Sequence, residues 1–387
     1  MNNPSGKSPY SKKSIQRLYG TSFSDGNRVK LVWKDRDSFR DIFNSISNAT
    51  RLICLQFYIF RNDETGNELA SILKRKASDG VRVYIIYDHF GSFGTPRSFW
   101  KELKASGVSV GASRPFKWSA PFHYVHRDHR KLIIIDGLKA FTGGLNIANE
   151  YRGYNRFRRI KGWRDTGIFL EGPIVARLTD EFAKSWQIWS KEPFQDSQSP
   201  AYTGDDISVL PVFASSAKGR RRMRKLIYYS INSAQTSICL TTAYFIPSRR
   251  MLHILESAVS RGVSVRLLLP GVSDVSAAYF AGRAFFSRLL KAGIEIYTYK
   301  GEILHAKTYL FDRKWSIIGS ANLDFQSLRR NDEGNVGILD ERFGSEMESV
   351  FNDDLTRSGK IDLVSWKDRP LHEKIKEHLF ALFRRRL

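Results

Sequence analysis

The sequence predicts an α/β protein built from two tandem units related by a pseudo-two-fold axis, each a mixed β-sheet flanked by helices. Three observations lead there: the chain repeats itself, each copy alternates strand-like and helix-like runs, and each copy reaches the same polar cluster at the same point. A length of 387 residues suits two ordinary domains or one large unit with internal symmetry. With 42% hydrophobic and 13% aromatic residues and no low-complexity tract, the composition is that of an ordered globular protein.

In chain order, "RLICLQFYIF" at 51–60 matches "TSICLTTAYFIP" at 236–247, and Cys54 and Cys239 fall at equivalent points, which makes both core strand residues. A helix-like stretch then ends in "DGVRVYIIYD" (79–88), echoed by "RGVSVRLLLP" (261–270), with glycine as the helix stop before an apolar strand. A second helix, glycine and strand follow in "FWKELKASGVSV" (99–110) and "FFSRLLKAGIEIYTY" (285–299). Each copy ends in a glycine turn with an asparagine, "TGGLN" (142–146) and "IGSAN" (318–322). The resulting division is a polar basic segment 1–27, a first domain 28–195, a linker 196–206, a second domain 207–365 and a basic amphipathic helix 366–387. An aromatic insertion at 112–128 has no counterpart in the second copy.

Charge narrows the function. A net charge of +23 implies an anionic partner, and nucleic acid and an anionic membrane surface both qualify. Two cysteines argue against a disulfide-stapled domain. No stretch has the length and apolarity of a membrane span, and the N-terminus is no signal peptide, so a protein that works on a membrane is expected to do so from the side. In the C-terminal stretch Leu371, Ile375, Leu379, Leu382 and Phe383 share one helical stripe, which suits docking on the core and lying on a membrane equally. The basic run "YRGYNRFRRIKGWR" (151–164) suits nucleic-acid stacking, a solvated loop or lipid headgroup contact, and "KGRRRMRK" (218–225) reads as a solvated face. His123, His126 and His129 at spacings of three raise a metal site, but no cysteine accompanies them and a strand follows, so no metal or other cofactor is expected.

The polar cluster is "HRKLIIID" (129–136) and "HAKTYLFD" (305–312). Alternation puts His129 beside Lys131, and His305 beside Lys307, on one face of an extended segment. One such pair is a surface accident; two copies, each followed by a glycine turn and asparagine, are not. Transfer through a covalent phosphohistidine asks for this set. One imidazole attacks phosphorus, and a second protonates the leaving alkoxide and then deprotonates the incoming hydroxyl. Lysines and the amides of Asn146 and Asn322 would bind the non-bridging oxygens without a metal. Asp136 and Asp312 complete the catalytic motif, although their place at the strand's far end points to supporting roles.

These motifs, with "TGGLNIANEY", "WRDTGIFLEGP" and "TTAYFIP", resemble the phospholipase D superfamily and, within it, most closely the bacterial cardiolipin synthases, from about Val29 to the C-terminus. The resemblance implies that two phosphatidylglycerol molecules are joined with release of glycerol, in a site formed within one chain. It carries over His129, Lys131, Asn146, His305, Lys307 and Asn322 as the phosphate site, with Gly144 and Ser320 as substrate-binding residues beside the asparagines, and Glu150 and Glu333 as carboxylates that orient the histidines. The expected partners are phosphatidylglycerol and a bacterial membrane surface, peripherally and on the cytoplasmic side; nucleic acid is not expected. Hydrolysis of phospholipid, and then nuclease action, are the rival readings, since the same residues serve all three. Three departures stand out: the membrane-spanning N-terminal segment of many members is missing, Asp128 stands where Asn is expected, and Gln326-Ser327-Leu328 replaces Arg-Ser-Phe.

Overall fold

The computed structural model describes residues 9–33, 35–116, 126–153, 162–195 and 205–384. The first copy supplies β1 (Ser24–Val32), β2 (Leu52–Phe57), β3 (Arg82–Asp88), β4 (Ser109–Ser113), β5 (Leu132–Ile135), β6 (Lys139–Gly143) and β7 (Gly167–Glu171). The second supplies β8 (Ile207–Ala214), β9 (Ser237–Thr241), β10 (Ser264–Pro270), β11 (Glu295–Tyr299), β12 (Thr308–Phe311), β13 (Trp315–Gly319), β14 (Glu333–Leu339) and the short β15 (Ser358–Lys360). They form one 15-stranded sheet in the order β15-β11-β10-β9-β12-β13-β14-β8-β1-β7-β6-β5-β2-β3-β4. From the β8–β1 seam outward the two sides mirror each other, as a duplicated unit closed by a two-fold axis requires. The sheet is mixed. The outer strands β2, β3 and β4 run parallel, as do β9, β10 and β11, while the pairs nearer the seam are antiparallel.

The helices are α1 (Lys12–Tyr19), α2 (Asp35–Ser47), α3 (Glu64–Ser78), α4 (Arg97–Ala105), α5 (Asn149–Arg152), α6 (Ile174–Trp189), α7 (Ala217–Ser233), α8 (Arg249–Ser260), α9 (Ser276–Arg283), α10 (Phe286–Lys291), α11 (Phe325–Arg329), α12 (Glu341–Thr356), α13 (Leu363–Lys367) and α14 (Leu371–Leu382). The four glycines read as helix stops, Gly80, Gly107, Gly262 and Gly293, all have left-handed φ between 83° and 88°. Each copy buries one sheet face under its own helices, around Phe39, Leu69 and Ile133 in the first and Leu226, Leu255 and Ile317 in the second. The opposite face is a single shared core in which Phe182 and Trp186 of α6 and Met347 and Phe351 of α12 cover strands of both copies. Cys54 and Cys239 lie buried in β2 and β9, as expected.

One expectation changes, and the two readings of the C-terminal stripe part. In the segment 1–27, the described residues from 9 onward are not merely a polar arm. Tyr10, Ile15 and Tyr19 sit in the second copy's core, where the Tyr10 hydroxyl donates to Ser230 O at 2.7 Å and the Tyr19 hydroxyl to Phe213 O at 2.8 Å. Ile15 and Tyr19, four apart on one face of α1, and Tyr10, just ahead of its cap Ser11, gain more by burial than the basic residues between them lose. The C-terminal helix also docks the other way round from a core-seeking amphipath. α14 meets α9 through Glu377, fully buried against Arg283 and Arg369, and through Phe380 stacked on Phe280. Its stripe points outward, with Leu371, Ile375 and Leu379 71%, 59% and 52% exposed.

Candidate active site

His129 and Lys131 lie in the extended segment leading into β5, and His305 and Lys307 in the same segment before β12. Each segment is latched to the other copy. His129 N donates to Asp332 O at 2.9 Å and His305 N to Arg164 O at 2.8 Å, within short parallel bridges of Asp128 with Asp332 and Arg164 with Leu304. The two-fold seam thus brings the motifs together. The side chains are crossed in the same way: His129 Nδ1 is 3.1 Å from Glu333 Oε2, and His305 Nδ1 is 2.6 Å from Asp165 Oδ2. A carboxylate oxygen offers only lone pairs, so each contact assigns a proton to Nδ1 and leaves Nε2 as the basic nitrogen. Both rings line a cleft of about 760 Å³, walled by Tyr58, Tyr151, Trp163 and Tyr244.

The lysines are buried beneath the rings. Lys131 Nζ donates to His129 O at 2.6 Å, and Lys307 Nζ donates to His305 O and lies 2.8 Å from His305 Nδ1. Both asparagines are tied by their oxygens: Asn146 Oδ1 accepts from Ile59 N at 3.1 Å, and Asn322 Oδ1 from Tyr244 N at 3.3 Å and Thr242 Oγ1 at 3.2 Å. Fixing the oxygen leaves the amide NH₂ as each side chain's remaining donor.

Burial dominates the electrostatics. It holds the His129 imidazole below its ordinary range, with Lys131 adding to the effect and Glu333 opposing it. Burial and then Lys307 push His305 down to about 4 against the pull of Asp165. Lys131 is pushed down to about 7 by burial and Lys307, and Lys307 to about 8 by burial. Around neutral pH both imidazoles are therefore neutral. A bound phosphodiester brings the negative charge that raises all four groups again.

A family model described as cardiolipin synthase, PLD-like domain, matches residues 42–186 and 227–355, which fall in the first and second copies. The chain belongs to this family. It is 34% identical over 337 residues to cardiolipin synthase A of Pseudomonas putida (strain W619), covering 87% of this chain and 70% of that protein. It is 33% identical over 365 residues to the major cardiolipin synthase ClsA of Bacillus subtilis (strain 168), covering 93% and 75%. The fold is also that of a solved phosphatidylserine synthase from Haemophilus influenzae Rd KW20, at a TM-score of 0.76 and 14% identity over 97% of this chain and 99% of that one.

In this cardiolipin synthase-family site several expected residues stand elsewhere. Glu150 does not reach a histidine: its side chain is 29% exposed and accepts from Arg61 Nε at 3.4 Å, while Asp165 holds His305. The sequence did carry a signal for Asp165. In both copies an acid stands just before a glycine of the strand that neighbours a seam strand, Asp165 two residues before Gly167 of β7 and Glu333 one before Gly334 of β14. Asp136 and Asp312 face away from the cleft. Asp136, at φ 55°, accepts from the backbone N of Thr50, Arg51 and Leu52, and Asp312, at φ 51°, from those of Gln235, Thr236 and Ser237. They pin the turn to the start of the neighbouring strand, so their part is structural. Gly144 and Ser320 serve the orienting carboxylates. A Cβ on Gly144 would lie 2.1 Å from Asp165 Oδ1, and Ser320 Oγ donates to Glu333 Oε2 while accepting from Gly334 N at 3.0 Å. Asp128 forms a buried bidentate pair with Arg130 at 2.7 and 2.8 Å. His123, most of the aromatic insertion and most of the 151–164 run lie outside the described residues.

Proposed function

We propose that this chain makes cardiolipin, transferring a phosphatidyl group from one phosphatidylglycerol to a second through a phosphatidyl-histidine. The observation that carries this is the crossed pairing, in which each histidine has its Nδ1 on a carboxylate of the opposite copy and its Nε2 left for chemistry. His129 Nε2 attacks phosphorus; His305, an imidazolium once the anionic phosphodiester is bound, gives its Nε2 proton to the glycerol oxygen as the phosphorus–oxygen bond breaks, and glycerol leaves. The hydroxyl of a second phosphatidylglycerol then attacks phosphorus, the nitrogen–phosphorus bond breaks, and the hydroxyl proton returns to His305. Lys131, Lys307 and the amides of Asn146 and Asn322 stabilise the non-bridging oxygens, so the charge is met without a metal ion.

The same proposal places the protein peripherally on the cytoplasmic face of a bacterial membrane. The outward stripe of α14 supports it, as does the net charge of +23, which suits anionic lipid. Among the described residues no helix is long and apolar enough to cross a membrane.

Incubation with phosphatidylglycerol vesicles, read by mass spectrometry, should yield cardiolipin and free glycerol in equal amounts. Phosphatidic acid as the main product would instead make water the acceptor and replace the synthase reading with hydrolysis. For the division of labour, a phosphatidyl donor with a good leaving group should label His305→Ala but not His129→Ala; a labelled His305 would reverse the two roles.

A further inference from the structure

Beside the catalytic cleft lies a second cavity of about 430 Å³. The two spaces meet along α11: Gln326 and Ser327 line the cleft, Phe325, Leu328 and Arg329 line the second cavity, and Asp324 touches both. Five arginines line this cavity: Arg224, Arg249, Arg250, Arg329 and Arg384. Among the described residues none of the five is in an ion pair with a carboxylate, whereas nearby Arg283, Arg288 and Arg369 all are. Arg224 is held by its bond to Leu328 O at 3.1 Å, Arg250 lies over the Tyr228 ring and Arg329 over Phe325. The wall also includes the N-terminus of α8, capped by Ser248 and without an acid in its first turn. Among the described residues the single acid lining the cavity is Asp324, which burial pushes up to about 7, weakening its charge near neutral pH.

The duplication supplies the control. α3 is the counterpart of α8, since each follows the equivalent strand, β2 or β9. There the cap is Asp63, the first turn holds Glu64, and Glu68 pairs with Arg152. Carboxylates occupy in the first copy the region that arginines surround in the second. Among the described residues, the arginine-lined cavity therefore belongs to the second copy's side of the duplicated site.

We infer that this cavity binds the phosphodiester of the second, acceptor phosphatidylglycerol and so presents its glycerol hydroxyl to the phosphatidyl-histidine. The inference rests on the synthase reading above and names its acceptor. Cardiolipin carries two phosphates joined through one glycerol, and two adjoining phosphate sites across Asp324 match that product. In the step concerned the hydroxyl oxygen bonds to phosphorus, the phosphorus–Nε2 bond breaks and the proton passes to His305, while the arginines hold the acceptor's own, unreacting phosphate.

The test is a partition experiment. Phosphatidylglycerol in mixed micelles with labelled free glycerol lets the phosphatidyl-enzyme choose between a lipid acceptor, giving cardiolipin, and a neutral one, giving labelled phosphatidylglycerol. In Arg249→Gln/Arg329→Gln, and in the single variant Arg250→Gln, the ratio of cardiolipin to labelled phosphatidylglycerol should fall by about ten- to a hundredfold, as loss of charge-assisted hydrogen bonds implies. An unchanged ratio, or an equal fall of both products, overturns the inference. So does an unchanged ratio accompanied by loss of inorganic phosphate binding in the variants, which would assign the pocket to free phosphate. Wild-type protein that exchanges glycerol yet forms no cardiolipin would overturn the synthase reading as well.

Discussion

Asp165→Asn isolates the positioning of the proton-transferring histidine. Asp165 Oδ1 accepts from Thr166 N at 2.7 Å and Oδ2 lies 2.6 Å from His305 Nδ1, both in a buried setting. In the variant the amide oxygen keeps the Thr166 bond, because the NH₂ cannot accept it, so the NH₂ turns to His305. That group donates to Nδ1 and forces the ring proton onto Nε2, the nitrogen that must take up the acceptor's proton. Losing a charge-assisted hydrogen bond alone costs about 1.5–3 kcal/mol, or roughly 10- to 100-fold in rate. The reversed tautomer brings the expected loss in kcat on phosphatidylglycerol to about 10³- to 10⁴-fold, the scale seen when a triad aspartate becomes asparagine. The assay pairs steady-state glycerol release, which needs the acceptor step to clear the phosphatidyl-enzyme, with the first-turnover burst of nitrophenol from a phosphatidyl nitrophenol donor, which precedes that step. The nitrophenol burst should stay close to wild type while glycerol release collapses, and Glu150→Gln should retain activity within about twofold, since its carboxylate faces Arg61. Asp165→Asn retaining wild-type glycerol release, or losing the nitrophenol burst to the same degree, would refute the assignment.

Three further outcomes are expected. The Lys131 ammonium is depressed from 10.5 to about 7, so the unfolded chain takes the proton first as pH falls, and stability present above 10.5 is lost down to about 7. Lys131→Met should therefore raise Tm at pH 6 more than at pH 10 while abolishing turnover, and equal shifts at both pH values would contradict the burial argument. Leu371→Gln/Ile375→Gln/Leu379→Gln should weaken binding to phosphatidylglycerol vesicles at least about tenfold with little change in Tm, because these side chains are already exposed; unchanged vesicle binding would remove α14 from the membrane contact. Activity should survive EDTA, since lysine and asparagine supply the charge at phosphorus, and abolition with rescue by one divalent ion would sink the site as described.

Much of this protein was legible along the chain. The duplication, the strand–helix alternation, the four glycine stops and the motif histidines and lysines all follow from spacings of a few residues, and period and turn chemistry act at that range. Only the tertiary structure decided what crosses the seam. Fusion into one sheet, the pairing of Asp165 with His305 and of Glu333 with His129, and the burial of Tyr10, Ile15 and Tyr19 in the second copy join residues far apart in sequence. Asp136 and Glu150 show the limit. Both are acids near the motif, yet one binds backbone amides and the other an exposed arginine, because which groups a carboxylate meets is set by the packing of strands and not by its distance along the chain. The outward face of α14 and the arginine cavity have the same origin. A stripe or a basic cluster is written in the sequence, but whether it is buried, paired with carboxylates or left open depends on which surface arrives opposite it.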